Sequence, residues 1–232
     1  MKKILFGVFA GLVLVTVIAI NGCKKDDTTP PVISSGADFT ISLQSSTVSE
    51  PAHSATDEED GNVTVTSDWS WGTNPNPNQT GDYTIHYTAT DKAGNQATAA
   101  MTVTVRNDAY YLAGSYSCTE PPSTTPWIQT IAVSATVNNR IHFSKFANYS
   151  SNTGIYATVT GTTVDLGTAQ NGTGIGASGC THTFTPQSGG ATITGSAGSY
   201  TFSIKFTDQE QVGGAGCPGT GVVPYEDVFV QQ

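Results

Sequence analysis

Between Gly81 and Arg106 the chain carries its most restrictive pattern, two long stretches in which side chains alternate face by face. Tyr83, Ile85, Tyr87 and Ala89 share one phase of the first stretch, and Thr84, His86, Thr88 and Thr90 the other. In the second, Ala97, Ala99, Met101, Val103 and Val105 alternate with Thr98, Ala100, Thr102 and Thr104. A period of two lines opposite faces of a strand, whereas a helix needs a period near 3.6, so both stretches read as half-buried strands. Asp91-Lys92-Ala93-Gly94-Asn95 separates them, with an Asp that can cap a tight loop and a Gly that accepts positive φ. Two such strands make the terminal hairpin of a β-sandwich, because their apolar face must be buried against a second layer.

Composition extends this reading to the whole chain. Thr, Val, Ser, Tyr and Gly outweigh the strong helix formers, which predicts an all-β protein. Only 12% of residues are charged while 37% are hydrophobic, the opposite of a disordered composition. The formal net charge is −9 and every acidic residue lies after position 25, which excludes a nucleic-acid partner that would need a basic face.

The strand pattern of residues 32–106 ends at Arg106-Asn107-Asp108 and restarts at Tyr110. The sequence therefore predicts an N-terminal sandwich over 32–106 and a second unit over 108–232. In the second unit, strands are expected near 112–119, 127–136, 139–146, 154–160, 162–167, 180–185, 190–196, 199–207 and 222–230. The Gly-rich stretches 168–179 and 213–221 read as loops. Tyr200, Phe202, Ile204 and Phe206 alternate cleanly. Many short antiparallel strands separated by turn residues predict a β-barrel or a closed, strongly bent sheet.

The N-terminus concerns destination. Lys2 and Lys3 precede an apolar run from Ile4 to Ile20, too short for a comfortable bilayer span and suited to a signal peptide. Ile20-Asn21-Gly22-Cys23 resembles a bacterial lipobox, which implies removal of residues 1–22 and lipidation of Cys23. An uncleaved anchor helix is the alternative, and both tether the protein to a membrane. Lys24-Lys25-Asp26-Asp27 resembles the signal that sends lipoproteins of some Gram-negative bacteria to the cell exterior, and implies a lipid-anchored protein displayed on the outer membrane. Thr28-Thr29-Pro30-Pro31 completes an extended tether over 23–31.

Two further resemblances concern the folded units. Ala55-Thr56-Asp57-Glu58-Glu59-Asp60-Gly61-Asn62-Val63, Gly81-Asp82-Tyr83-Thr84 and Tyr87-Thr88-Ala89-Thr90-Asp91-Lys92-Ala93-Gly94-Asn95 together resemble the Ig-like repeat of bacterial surface proteins. They are also similar to HYR modules and to an Ig-like domain of pesticidal crystal proteins. Leu112-Ala113-Gly114-Ser115-Tyr116 resembles the opening strand of lipocalin-like modules.

The residues give no sign of catalysis. His53, His86, His142 and His182 are isolated in sequence, and there is no nucleophile elbow or recognisable carboxylate pair. Two clusters could bind. Asp57, Glu58, Glu59 and Asp60, with Asp91 from another turn, offer the hard oxygen donors that Ca²⁺ prefers, or else form a solvated turn. Trp69 and Trp71 share a face if their segment is extended and would then stack on sugar rings, or else fill the sandwich core. With Cys23 acylated, Cys118, Cys180 and Cys217 remain for one disulfide. Either Cys118–Cys217 or Cys180–Cys217 closes a long loop, so energy does not choose. Cys118 follows Tyr116 in core-directed phase, which favours Cys180–Cys217. The sequence thus predicts a non-enzymatic surface lipoprotein whose Ig-like spacer presents a binding module for a glycan or protein ligand. A periplasm-facing structural lipoprotein is the alternative.

Overall fold

The structure is a computed structural model that describes residues 26–149, 154–175, 180–188, 190–212, 217, 219 and 221–232. The apolar leader 1–22, Cys23, Lys24 and Lys25 lie outside the described residues. As expected, the protein is all-β, with helical turns confined to the short 3-10 segments Tyr110–Leu112 and Phe146–Asn148 among the described residues.

The first seven strands are β1 (Val32–Ser34), β2 (Phe39–Ser42), β3 (Ser54–Asp57), β4 (Gly61–Val63), β5 (Val65–Ser67), β6 (Gly81–Thr90) and β7 (Gln96–Arg106). They form two sheets, in the orders β1-β3-β4 and β2-β7-β6-β5. The anticipated hairpin is β6 and β7, paired without interruption from Gly81↔Val105 to Thr90↔Gln96. Its alternation has the expected consequence: Ile85, Tyr87, Ala89, Met101, Val103 and Val105 are buried, and all but Ala89 pack with Ile41 and Leu43 in one core. β2 adds to β7 in parallel, an arrangement open to a strand arriving from the other sheet rather than from a hairpin.

The remaining strands are β8 (Gly114–Thr119), β9 (Trp127–Val133), β10 (Arg140–Phe143), β11 (Tyr156–Thr160), β12 (Thr163–Asp165), β13 (Gln170–Ile175), β14 (Cys180–Pro186), β15 (Ala191–Thr192), β16 (Thr201–Glu210) and β17 (Val223–Gln231). They make one antiparallel sheet in the order β13-β14-β16-β17-β8-β9-β10-β11-β12-β15. A bridge between Thr194 and Thr201 brings the chain beyond β15 back to the start of β16, so the sheet curls upon itself. The core inside the curl is rich in aromatic rings, with Phe146 4.8 Å from Phe206 and Phe202 stacked 4.8 Å from Phe229. One expectation needs correction: residues 168–179 are not simply a loop, because Gln170–Ile175 pairs with β14. Its register shifts between Gly172 and Ile175, and glycine in a bulged edge strand hides the period that reveals other strands.

The two sets of sheets meet through Asn107, which is fully buried. Its Nδ2 donates to the carbonyls of Ser134 at 2.8 Å and Val137 at 3.0 Å, and its Oδ1 accepts from the N–H groups of Ala109 at 2.9 Å and Asn139 at 3.0 Å. Nearby, Asn138 N–H donates to Gln44 Oε1 at 2.8 Å and Thr80 N–H to the Ala135 carbonyl at 2.9 Å.

Candidate functional site

The strand period that buries the aromatic core also carries polar side chains into it. On β16, Asp208 continues the phase of Phe202, Ile204 and Phe206. On β17, Asp227 lies in phase with Tyr225 and Phe229, and on β14 His182 lies in phase with Cys180 and Phe184. All three polar side chains are buried. Asp208 Oδ1 sits 2.8 Å from His182 Nδ1, and its Oδ2 accepts from the Tyr149 hydroxyl at 2.8 Å. The carboxylate therefore uses both oxygens to hold one phenol and one imidazole in place. Burial first, then the hydrogen bond to Asp208, pushes the Tyr149 hydroxyl above the usual phenol range.

Asp227 has no exposed surface. Its Oδ2 accepts from the Ala147 N–H at 3.1 Å, while Oδ1 finds no partner. Burial, reinforced by the Glu120 carboxylate and opposed by the Ala147 N–H, pushes its carboxyl up to about 8. It is therefore protonated at neutral pH. The loop it supports is strained: Ala147 at φ 54° and Asn148 at φ 58° both occupy the left-handed region, which Asn tolerates and Ala resists.

Between this loop, the segment after β8 and the ends of β16 and β17 lies a cleft of about 330 Å³. Trp127, Tyr149 and Tyr225 supply aromatic walls, and Glu120 and Asp208 supply carboxylates. Burial and the neighbouring Asp208 charge raise the Glu120 carboxyl above its usual range. Trp127 Nε1 is buried and has no acceptor. The cleft thus combines ring faces with the carboxylate of Glu120, a mixture that takes a small polar ligand with apolar faces.

The residues singled out from sequence lie elsewhere. Trp69 and Trp71 are half-buried, with ring centroids 6.4 Å apart, and both pack against the sandwich core. Among the acids, Asp57 and Asp91 come together, whereas Asp60 accepts from the backbone N–H of Lys92 at 2.7 Å and from its Nζ at 3.1 Å. Glu58 is exposed, and Glu59 gives its backbone N–H to Asp57 Oδ1 at 2.9 Å. Asp27 joins Asp57 and Asp91, with one carboxylate oxygen from each lying within 4.8 Å of the others. Asp26 is exposed. The disulfide is Cys180–Cys217, with Cα atoms 5.6 Å apart, and Cys118 is a buried free thiol.

Sequence reasoning missed the cleft because its residues come from four separated segments with no shared motif. A usable signal was present: Asp208, Asp227 and His182 each occupy a core-facing phase, where an ionisable residue is out of place unless it is held by partners.

Residues 33–105 match the family described as bacterial surface protein, Ig-like domain. No curated protein matches the sequence. Among solved structures, the chain is similar to the lipoprotein BT2262 from Bacteroides thetaiotaomicron, at 17% identity over 87% of this chain and 100% of that one, with a TM-score of 0.28. CBM51-2 in complex with GlcNAc and INT domains from Clostridium perfringens ZmpB is 16% identical over 86% of this chain and 43% of that one, with a TM-score of 0.25. A Bacteroides ovatus protein of unknown function is 13% identical over 88% and 93%, with a TM-score of 0.25.

Proposed function

We propose that this protein is a non-enzymatic lipoprotein of the bacterial cell surface, anchored through Cys23, whose cleft in the C-terminal curled sheet binds a glycan. The observation that carries the reading is the cleft itself. Trp127, Tyr149 and Tyr225 offer ring faces for the C–H face of a sugar, and Glu120 offers an acceptor for paired hydroxyls. Tyr149 is fixed by Asp208 and the loop beneath it by Asp227, so the site is held ready before ligand arrives. Asp227 is sealed in the core, where it supports the 146–148 turn rather than meeting a ligand. The Ig-like match over 33–105 supports the role of those residues as a spacer, and the lipobox and Lys24-Lys25-Asp26-Asp27 support outward display. The lipocalin-like opening strand is consistent with a binding module over 108–232.

The test is a glycan array probed with the detergent-solubilised full chain, followed by titration calorimetry on each hit. Trp127→Ala should weaken binding at least tenfold while Trp69→Phe leaves it unchanged. An array without hits, or hits indifferent to Trp127→Ala, would reject the cleft as a glycan site and favour a structural lipoprotein.

A further inference from the structure

The tether is not simply an extended lead-in. Asn95, in the turn between β6 and β7, gives its side-chain N–H groups to the carbonyls of Asp27 at 3.2 Å and Thr29 at 3.4 Å, and to Asp91 Oδ2 at 2.8 Å. This lays the tether against the sandwich and delivers the Asp27 carboxylate to Asp57 and Asp91. Asp27 arrives from the tether, Asp57 from the end of β3 and Asp91 from the β6–β7 turn. Asp57 is only 8% exposed and Asp91 7%. Among the described residues no Lys, Arg or His pairs with any of the three.

Asp57 supplies the second, independent observation. Its Oδ1 is committed to the N–H groups of Glu59 and Asp60, both at 2.9 Å, while Oδ2 is buried with no hydrogen-bond partner. A buried carboxylate oxygen beside two other carboxylates has no stabilising partner among the described residues. A hard cation satisfies all three. We infer that Asp27, Asp57 and Asp91 form a Ca²⁺ site that clamps the tether to the Ig-like sandwich. Calcium suits it better than magnesium. The donors come from a tether, a strand end and a turn, and Ca²⁺ accepts six to eight oxygens at adaptable angles, whereas Mg²⁺ demands a near-ideal octahedron. Of the five acids grouped from sequence, Asp57 and Asp91 serve, and Asp27 replaces Glu58, Glu59 and Asp60.

The experiment uses the purified full chain in detergent, so that any effect of Asp27 on export does not enter. Calorimetric titration with CaCl₂ should show one saturable site, and hydrogen exchange at the amides of residues 26–29 should slow when Ca²⁺ replaces EDTA. Asp27→Asn should reduce Ca²⁺ affinity at least tenfold and abolish the slowing, without lowering the melt in EDTA, because it removes one of three mutually repelling carboxylates. Asp57→Asn, which keeps the Oδ1 acceptor for the turn, should also reduce affinity at least tenfold. Absence of Ca²⁺ binding, binding equally strong in Asp27→Asn, or tether exchange unaffected by Ca²⁺ would each overturn the clamp.

Discussion

Replacing Asp227 with Asn should stabilise the protein at neutral pH, an unusual expectation for a fully buried polar residue. The folded carboxyl titrates at about 8, against about 3.9 in an unfolded chain. Below about pH 4 both states hold the proton and Asp227 imposes no pH-dependent cost. Between about pH 4 and pH 8 the folded state keeps a proton that the unfolded chain has released, so stability falls as pH rises by up to about 1.4 kcal/mol per unit. From pH 4 to pH 7 the loss is on the order of 4 kcal/mol. Asn has nearly the shape of the neutral acid, and its Oδ1 can still accept from the Ala147 N–H. It never ionises, so this dependence disappears. Glu120, also raised, has the same sign but is present in both proteins and cancels in the comparison. Thermal melts of wild type and Asp227→Asn across pH 4.5 to 7.5 would measure the difference. The variant's advantage should grow with pH to roughly 10 °C. Parallel curves would refute the assignment of a protonated Asp227.

Other perturbations should act through named contacts. Ala147→Gly relieves a left-handed residue and should raise stability by about 1 kcal/mol in a denaturant titration, with glycan binding retained if the loop keeps its place. Replacing Cys180 and Cys217 together with Ala removes a link spanning 37 residues and should cost on the order of 4 kcal/mol in the same titration. The buried Cys118 thiol, its ionisation pushed up by burial, should stay unreactive toward a thiol reagent until the protein unfolds.

Much of the fold could be read in the sequence because backbone period and burial coincide. The β6–β7 hairpin carries an uninterrupted alternation, and β16 does so through Phe202, Ile204 and Phe206, so the alternation alone marks their core faces. β13 is not legible in this way, since Asn171-Gly172-Thr173-Gly174 contains no apolar residue large enough to mark a period. The cysteine pairing follows the same logic as the hairpins. Cys118 shares the core-facing phase of Tyr116, which left Cys180 and Cys217 to bond. The cleft depends instead on how far the sheet curls, which brings the end of β8 beside Asp208 and Tyr225 and seats the 146–148 turn over Asp227. Curl is a property of the whole sheet, and no single segment encodes it. Grouping Asp57 with its sequence neighbours likewise missed Asp27, because adjacent residues on a strand or turn point apart while distant loops converge.

Asn107 has a mechanical consequence. β7 begins one residue after Asn95, which grips the tether, and ends one residue before Asn107, which grips the second set of sheets. Its eleven residues span roughly 37 Å at about 3.4 Å per residue. In the proposed surface role, a pull on a captured ligand would travel along the axis of this strand toward the anchor, between β2 and β6 on either side. The ladder bonds are loaded together in shear rather than opened in succession like a zipper. In that proposed role the sandwich would act as a tie rod, stiff along the β7 axis.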